Sequence, residues 1–161
     1  MPSPIVIFDL DDTLVDIDHR APLIEGENKQ WDTFYKECVN DTPIYETQRL
    51  YHHYRRLGWD VRIWTCRCAS VFDLTINSLT KMGVFDRYAH TPVARPLLLQ
   101  MRPVGDYRPS VVVKEEWLRT LDSDEREHLM LAYDDNEKVA DMWARNNVMC
   151  LKVVKPKGTQ A

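Results

Sequence analysis

The sequence predicts a single three-layer, Rossmann-like α/β domain, with a central parallel sheet and a small insertion after its first strand. Three observations carry this prediction. Short continuous apolar runs alternate along the chain with segments of helical period, the pattern of a parallel sheet covered on both faces. The runs are rich in β-branched residues and lack polar alternation, as strands buried on both sides do. The chain has 161 residues, the length of one domain, and its 44% hydrophobic residues suffice for one core without disulfide or metal staples.

The elements follow in order. The first strand is expected over residues 5–10. Residues 16–42 are polar and mixed, with several Asp, Asn and aromatic residues, and read as a cap-like insertion too short to form a separate large domain. A helix over 44–57 carries Arg55 and Arg56 in its last turn and stops at Gly58, so these arginines read as a solvated end complementing the helix dipole. A strand over 60–65 precedes a helix over 71–82, which stops at Gly83. A weaker strand is expected over 97–101, a helix over 114–121 opening on Lys114, and a strand over 128–133. A helix over 137–145 with Asn136 as N-cap and a strand over 148–153 complete the pattern. The tail, 155–161, reads as loose.

Several residues read as structural. His52 and His53 sit among tyrosines with no metal spacing, and Trp117 and Trp143 have apolar neighbours at helical spacing. Trp31, Phe34 and Tyr35 in the insertion either wall a site and stack on a base or pack the insertion down. Cys66 and Cys68 form a C-x-C without zinc spacing. With Cys38 and Cys150 they read as reduced thiols of a cytoplasmic protein. The first residues lack the basic and apolar regions of a signal peptide, and no run approaches the ~18 apolar residues of a membrane span. A net charge of −4 speaks against the broad basic face of a non-specific nucleic-acid binder.

Ligands of doubly wound sheets bind beyond the carboxyl ends of the strands, so the residues at those ends matter most. The first strand delivers Asp9, Asp11 and Thr13, the second Thr65 and Arg67, and the fourth Asp134 and Asp135, while Lys114 follows the third. Carboxylates, hydroxyls and cations thus converge on one edge, a composition suited to phosphoryl transfer. A dianionic phosphomonoester repels a carboxylate nucleophile unless cations neutralise it. Mg2+ takes oxygen ligands and combines one or two carboxylates with waters and phosphate oxygens. Asp9 with one or both of Asp134 and Asp135 would hold it, Asp11 would move protons, and Thr65, Arg67 and Lys114 would bind phosphate. Taken alone, Asp134 and Asp135 also read as a helix-capping cluster, and Arg20 and Arg67 as solvated loop charges.

The segment from Asp9 through Asp11 to Thr13 is similar to the D-x-D-x-T signature of the haloacid dehalogenase superfamily. The other motifs follow in order: a strand ending in Thr65, then Lys114, then Asp134-Asp135. The resemblance covers nearly the whole chain. It implies that Asp9 forms an aspartyl-phosphate with Mg2+, that the Asp11 backbone carbonyl joins the metal ligands, and that Thr13 belongs to the phosphate site. The usual pattern has Gly where this chain has Asp12. A narrower resemblance is to the 3′-phosphatase domain of bacteriophage polynucleotide kinase/phosphatases. Arg20 and Arg67 fall on functional arginines of that family and Arg102, expected to bind substrate, also has a counterpart there; Gly105 to Arg108 with Val112-Val113-Lys114 resembles its G-D-T-R…V-V-K segment, and Ala132 to Asp135 with Met142-Trp143 its A-I-D-D…M-W stretch. Ser110 departs from it, since that family has an Asp four residues before the Lys.

The resemblance implies removal of 3′-phosphates from nucleic acid ends or nucleotides, with a separate kinase or ligase in the same pathway as an expected partner. No phosphate loop of the G-x4-G-K-[ST] type occurs, so no kinase activity is expected of these residues. For a phage chain the expected location is the host cytoplasm. Two other readings stand beside this one: a phosphatase of free nucleoside monophosphates, and a non-catalytic binding domain on the same fold.

Overall fold

The computed structural model describes residues 2–86 and 98–156. Seven strands, β1 (Ile5–Phe8), β2 (Val15–Asp16), β3 (Thr42–Pro43), β4 (Asp60–Cys68), β5 (Leu99–Arg102), β6 (Leu129–Asp134) and β7 (Met149–Lys152), form two sheets among these residues. The larger sheet is parallel throughout, in the order β5-β4-β1-β6-β7. Six α-helices accompany them: α1 (Trp31–Lys36), α2 (Tyr45–Arg56), α3 (Phe72–Lys81), α4 (Ser110–Thr120), α5 (Ser123–His128) and α6 (Glu137–Arg145).

The two-residue period of β1 sets up the layers. Val6 and Phe8 face one side, where Tyr51 of α2 and Ile76 and Leu79 of α3 pack on them. Ile5 and Ile7 face the other, against Val113, Trp117 and Leu118 of α4 and Val139, Met142 and Trp143 of α6. Trp64 of β4 lies between Trp117 and Trp143 with ring centroids 5.8 and 5.6 Å away, so both helix tryptophans belong to the core. All four residues of β1 are buried, which is why this run shows no polar alternation.

The segment 17–41 hangs from the antiparallel β2–β3 pair, in which Val15 faces Pro43 and Asp16 faces Thr42. Phe34 and Cys38 carry it down onto the core. Among the described residues no helix is long and apolar enough to cross a membrane.

Several boundaries differ from the sequence-based expectation. The first strand ends at Phe8, because the backbone from Leu10 winds into a turn in which Thr13, Leu14 and Val15 all donate to the Leu10 carbonyl. β4 runs on to Cys68, with a register irregularity after Thr65. α4 begins at Ser110, so Lys114 lies in its second turn and does not open it. His128 ends α5, a helix closed by a reciprocal Asp122–Glu125 capping box, and the strand starts one residue later. The tail is not loose at Lys155, which pairs with Asp12, Asp16 and Asp18 at 2.6, 3.0 and 2.6 Å. Leu97 and residues 157–161, which fall in an expected strand and tail, lie outside the described residues.

Candidate active site

The turn after β1 shapes the site. Asp9 is tied to the neighbouring strand by its amide, which donates to the Tyr133 carbonyl at 2.8 Å. Asp12 then adopts φ 59°, the left-handed region that glycine enters freely and other residues enter at a cost of roughly 1 kcal/mol. This explains why a glycine suits the position. Here the Asp12 side chain is put to use, accepting from Lys155 Nζ at 2.6 Å. Because the chain leaves the strand at this turn, Asp9 and Asp11 meet different partners.

Asp9 belongs to a buried acidic group. Lys114 Nζ, on a side chain 3% exposed, donates to Asp9 Oδ1 at 2.7 Å and to Asp134 Oδ2 at 2.6 Å. Thr13 Oγ1 donates to Asp9 Oδ2 at 3.2 Å. The second oxygen of Asp134 accepts from the Asn136 amide at 3.0 Å. Asp9, Asp134 and Asp135 each offer an oxygen within 4.8 Å of the others. Three carboxylates thus face one ammonium, and the imbalance is visible in their acidity. Burial pushes the Asp9 carboxyl well above its usual range, with Lys114 opposing and Asp134 and Asp135 adding to the shift. Burial and Asp134 push Asp135 up to about 6. A divalent cation would supply the missing positive charge to this oxygen set.

Asp11 belongs to a second group. Arg67 Nη2 donates to Asp11 Oδ1 and, at 2.7 Å, to Asp41 Oδ2. Arg20 donates to Asp11 Oδ1 at 2.8 Å and grips Asp41 through Nε and Nη2 at 2.7 and 2.9 Å. Its Nη1 reaches the Phe34 carbonyl at 3.3 Å, and its guanidinium lies 4.3 Å from the Phe34 ring centroid. Two guanidiniums and two carboxylates therefore balance in a nearly dry environment. Burial alone would raise the Asp11 carboxyl, but Arg67 and Arg20 outweigh it and hold the group below its usual value. Arg67 continues the buried series of Val61, Ile63 and Thr65 along β4, and Thr65 Oγ1 accepts from the Arg67 amide at 3.1 Å. Arg67 Nε is a buried donor with no acceptor among the described residues.

Neither Arg20 nor Arg67 is a solvated loop charge; they are 0% and 2% exposed. Arg102 has a different setting. Its Nε donates to the Cys66 carbonyl at 2.9 Å, Nη1 to the Asp106 carbonyl at 3.2 Å and Nη2 to Ser110 Oγ at 3.3 Å, so it also pins the loop between β5 and α4. Sequence reasoning missed Asp41, one of several polar residues in the insertion. It also missed the hold of Lys155 on the Asp12 turn, because the tail offers no periodic signal.

The comparisons extend the geometry. Residues 3–157 match the family model described as the polynucleotide kinase PNKP phosphatase domain. Solved chains of similar fold include one in the Pnkp1/Rnl/Hen1 RNA repair complex, at 24% identity and TM-score 0.72, covering 94% of this chain and 42% of that one. The class C acid phosphatase from Bacillus anthracis is 20% identical over 86% of this chain and 53% of that one, with TM-score 0.59. CbbY from Rhodobacter sphaeroides in complex with phosphate is 13% identical over 99% of this chain and 92% of that one, with TM-score 0.57. The chain therefore spans less than half of the RNA repair protein that it resembles. No curated protein sequence matches it significantly.

Proposed function

The chain belongs to the family of polynucleotide kinase PNKP phosphatase domains and is a phosphatase of the haloacid dehalogenase fold; on that premise we propose that it removes 3′-phosphates from nucleic acid ends or nucleotides through an aspartyl-phosphate on Asp9. The observation that carries this reading is the meeting of Asp9, Lys114, Asp134 and Asp135 at the same sheet edge as the Asp11–arginine group.

Mg2+ would be held by Asp9, Asp135 and the Asp11 carbonyl, with Asp134 fixed behind them by Lys114 and Asn136. When bound it would neutralise the crowded carboxylates and draw charge from the phosphoryl oxygens. The remaining steps belong to the side chains. Asp9 Oδ attacks phosphorus and the bond to the 3′-oxygen breaks. Asp11 gives its proton to that oxygen, then takes one from the water that attacks the phosphorus of the acyl phosphate. Free phosphate leaves and Asp9 is restored.

With both arginines on it, Asp11 is a poor acid. An incoming phosphate competes for those guanidiniums, and the unsatisfied Arg67 Nε is a donor that already lacks an acceptor. As the arginines turn to phosphate, burial raises Asp11 towards the protonated form that the first step needs. Lys114 holds Asp9 in position through the same hydrogen bond that favours its anionic form.

The test is a comparison of hydrolysis rates with Mg2+ on an aryl phosphate, a 3′-phosphorylated oligonucleotide, a 3′-mononucleotide and a 5′-mononucleotide. The oligonucleotide or the 3′-mononucleotide is expected to be preferred, and Asp9→Asn to abolish turnover. A large preference for the 5′-mononucleotide would replace this reading with a nucleoside monophosphate phosphatase. A separate kinase or ligase would act on the 3′-hydroxyl product or prepare its partner end.

A further inference from the structure

α1 packs its aromatic residues unequally. Phe34 is 4% exposed and anchors the insertion under Arg20, so the packing role is filled. Tyr35 is half-buried on the side of the site, within electrostatic reach of Arg102 and Asp11. Trp31, one turn earlier on the same helical face, stacks on Tyr35 with ring centroids 5.8 Å apart and planes 28° from parallel. Yet Trp31 remains 44% exposed. Leaving so large an aromatic surface in water forgoes burial that is worth about 25 cal/mol per Å². Lys29 Nζ lies 5.9 Å from the Trp31 ring centroid. The rim next to the Asp11–arginine group therefore carries a partly exposed indole, with Tyr35 stacked on it and the Lys29 ammonium over its ring.

We propose that Trp31, backed by Tyr35 and flanked by Lys29, is a nucleobase-stacking subsite for one of the last two nucleotides of a single-stranded 3′-phosphate end. It rests on the reading of the phosphatase site given above and deepens it. A base offers a π-face whatever its identity, so stacking gives affinity without sequence preference. A stacked base would take the place of the Lys29 ammonium over the indole, and the displaced cation would be free to meet a backbone phosphate of the same strand. A phosphomonoester with no base gains nothing from this rim.

The test compares a 3′-phosphorylated oligonucleotide with one whose last two residues lack bases, on the wild-type enzyme. The base-bearing end should show kcat/KM higher by about tenfold, mainly through KM, as expected for the loss of one stacked base. In Trp31→Ala the ratio of the two substrates should fall close to one, while Trp31→Phe should keep most of it. A ratio removes any common effect of the substitution on folding, and the wild-type comparison requires no variant. Equal KM for the two ends on the wild type, or an unchanged ratio in Trp31→Ala, would overturn the subsite while leaving the 3′-phosphatase reading intact. Hydrolysis of an aryl phosphate with none of either oligonucleotide would overturn that reading, and the subsite with it.

Discussion

Asp41 holds two arginines at once, and both of them also reach Asp11. It stands 21 residues from Arg20 and 26 from Arg67, in a polar loop where no spacing singles it out. Its pairing exists only once the insertion has folded, which is why it was not legible in the sequence. Asp9, Asp11, Asp134 and Asp135 were legible because strand ends announce themselves as the points where apolar runs stop. Removing Asp41 leaves two buried guanidiniums to one carboxylate, and breaking a buried pair costs about 3–5 kcal/mol. Asp41→Ala is expected to lose stability of that order in denaturant unfolding, and its phosphatase kcat/KM to fall at least about tenfold. Asp41→Asn, which keeps the shape and one acceptor, should fall between Ala and wild type in both measurements. A wild-type unfolding midpoint in Asp41→Ala would show that the pair adds nothing to the fold.

Among the elements, α4 departs most from its sequence signal. Val111, Val112 and Val113 are β-branched, weak helix formers, so the helix reads as starting after them. Burial of Val113, Trp117 and Leu118 overrides that preference, and Pro109 marks the true start. The consequence for chemistry is that Lys114 projects from the second turn and reaches Asp9 and Asp134 together. α5 was not expected from the sequence: Asp122 and Glu125 stand three residues apart as a capping box requires, but the helix is too short for a periodic signal. The first turn of α4 carries no acidic residue, and Ser110 opens it. A carboxylate there would complement the helix dipole by about 0.3–1 kcal/mol and could pair with Arg102, which now donates to the Ser110 hydroxyl. Ser110→Asp is therefore expected to raise the melting temperature by roughly 1–4 °C. A lower melting temperature would mean that the serine contact with Arg102 matters more than the dipole.

At the scale of the molecule, the alternation of strands and helices announced the layers, but the strand order β5-β4-β1-β6-β7 came from long-range pairing. That order places β1 in the centre, so its carboxylates have a neighbour strand on each side. Gathering Asp9, Asp134 and Asp135 costs the fold free energy, since Lys114 balances only part of their charge. A cation that binds only the folded state returns stability by mass action, about 2.7 kcal/mol at a hundredfold excess over its dissociation constant. Mg2+ at such an excess is expected to raise the calorimetric melting temperature by roughly 5–10 °C. Asp135→Asn should lose most of that increment. A melting temperature indifferent to Mg2+ would remove the metal from the proposed mechanism.

The arginine–carboxylate group also governs time. Lifting the segment 17–41 away from the sheet would separate Asp41 from Arg67, and the loss of a buried partner of this kind costs about 3–5 kcal/mol. A cost of that size leaves the raised form at less than about one part in a hundred. On the proposed reading, an incoming phosphate ester would thus meet a far wall that is already standing, with Asp41 and both arginines in place before it arrives.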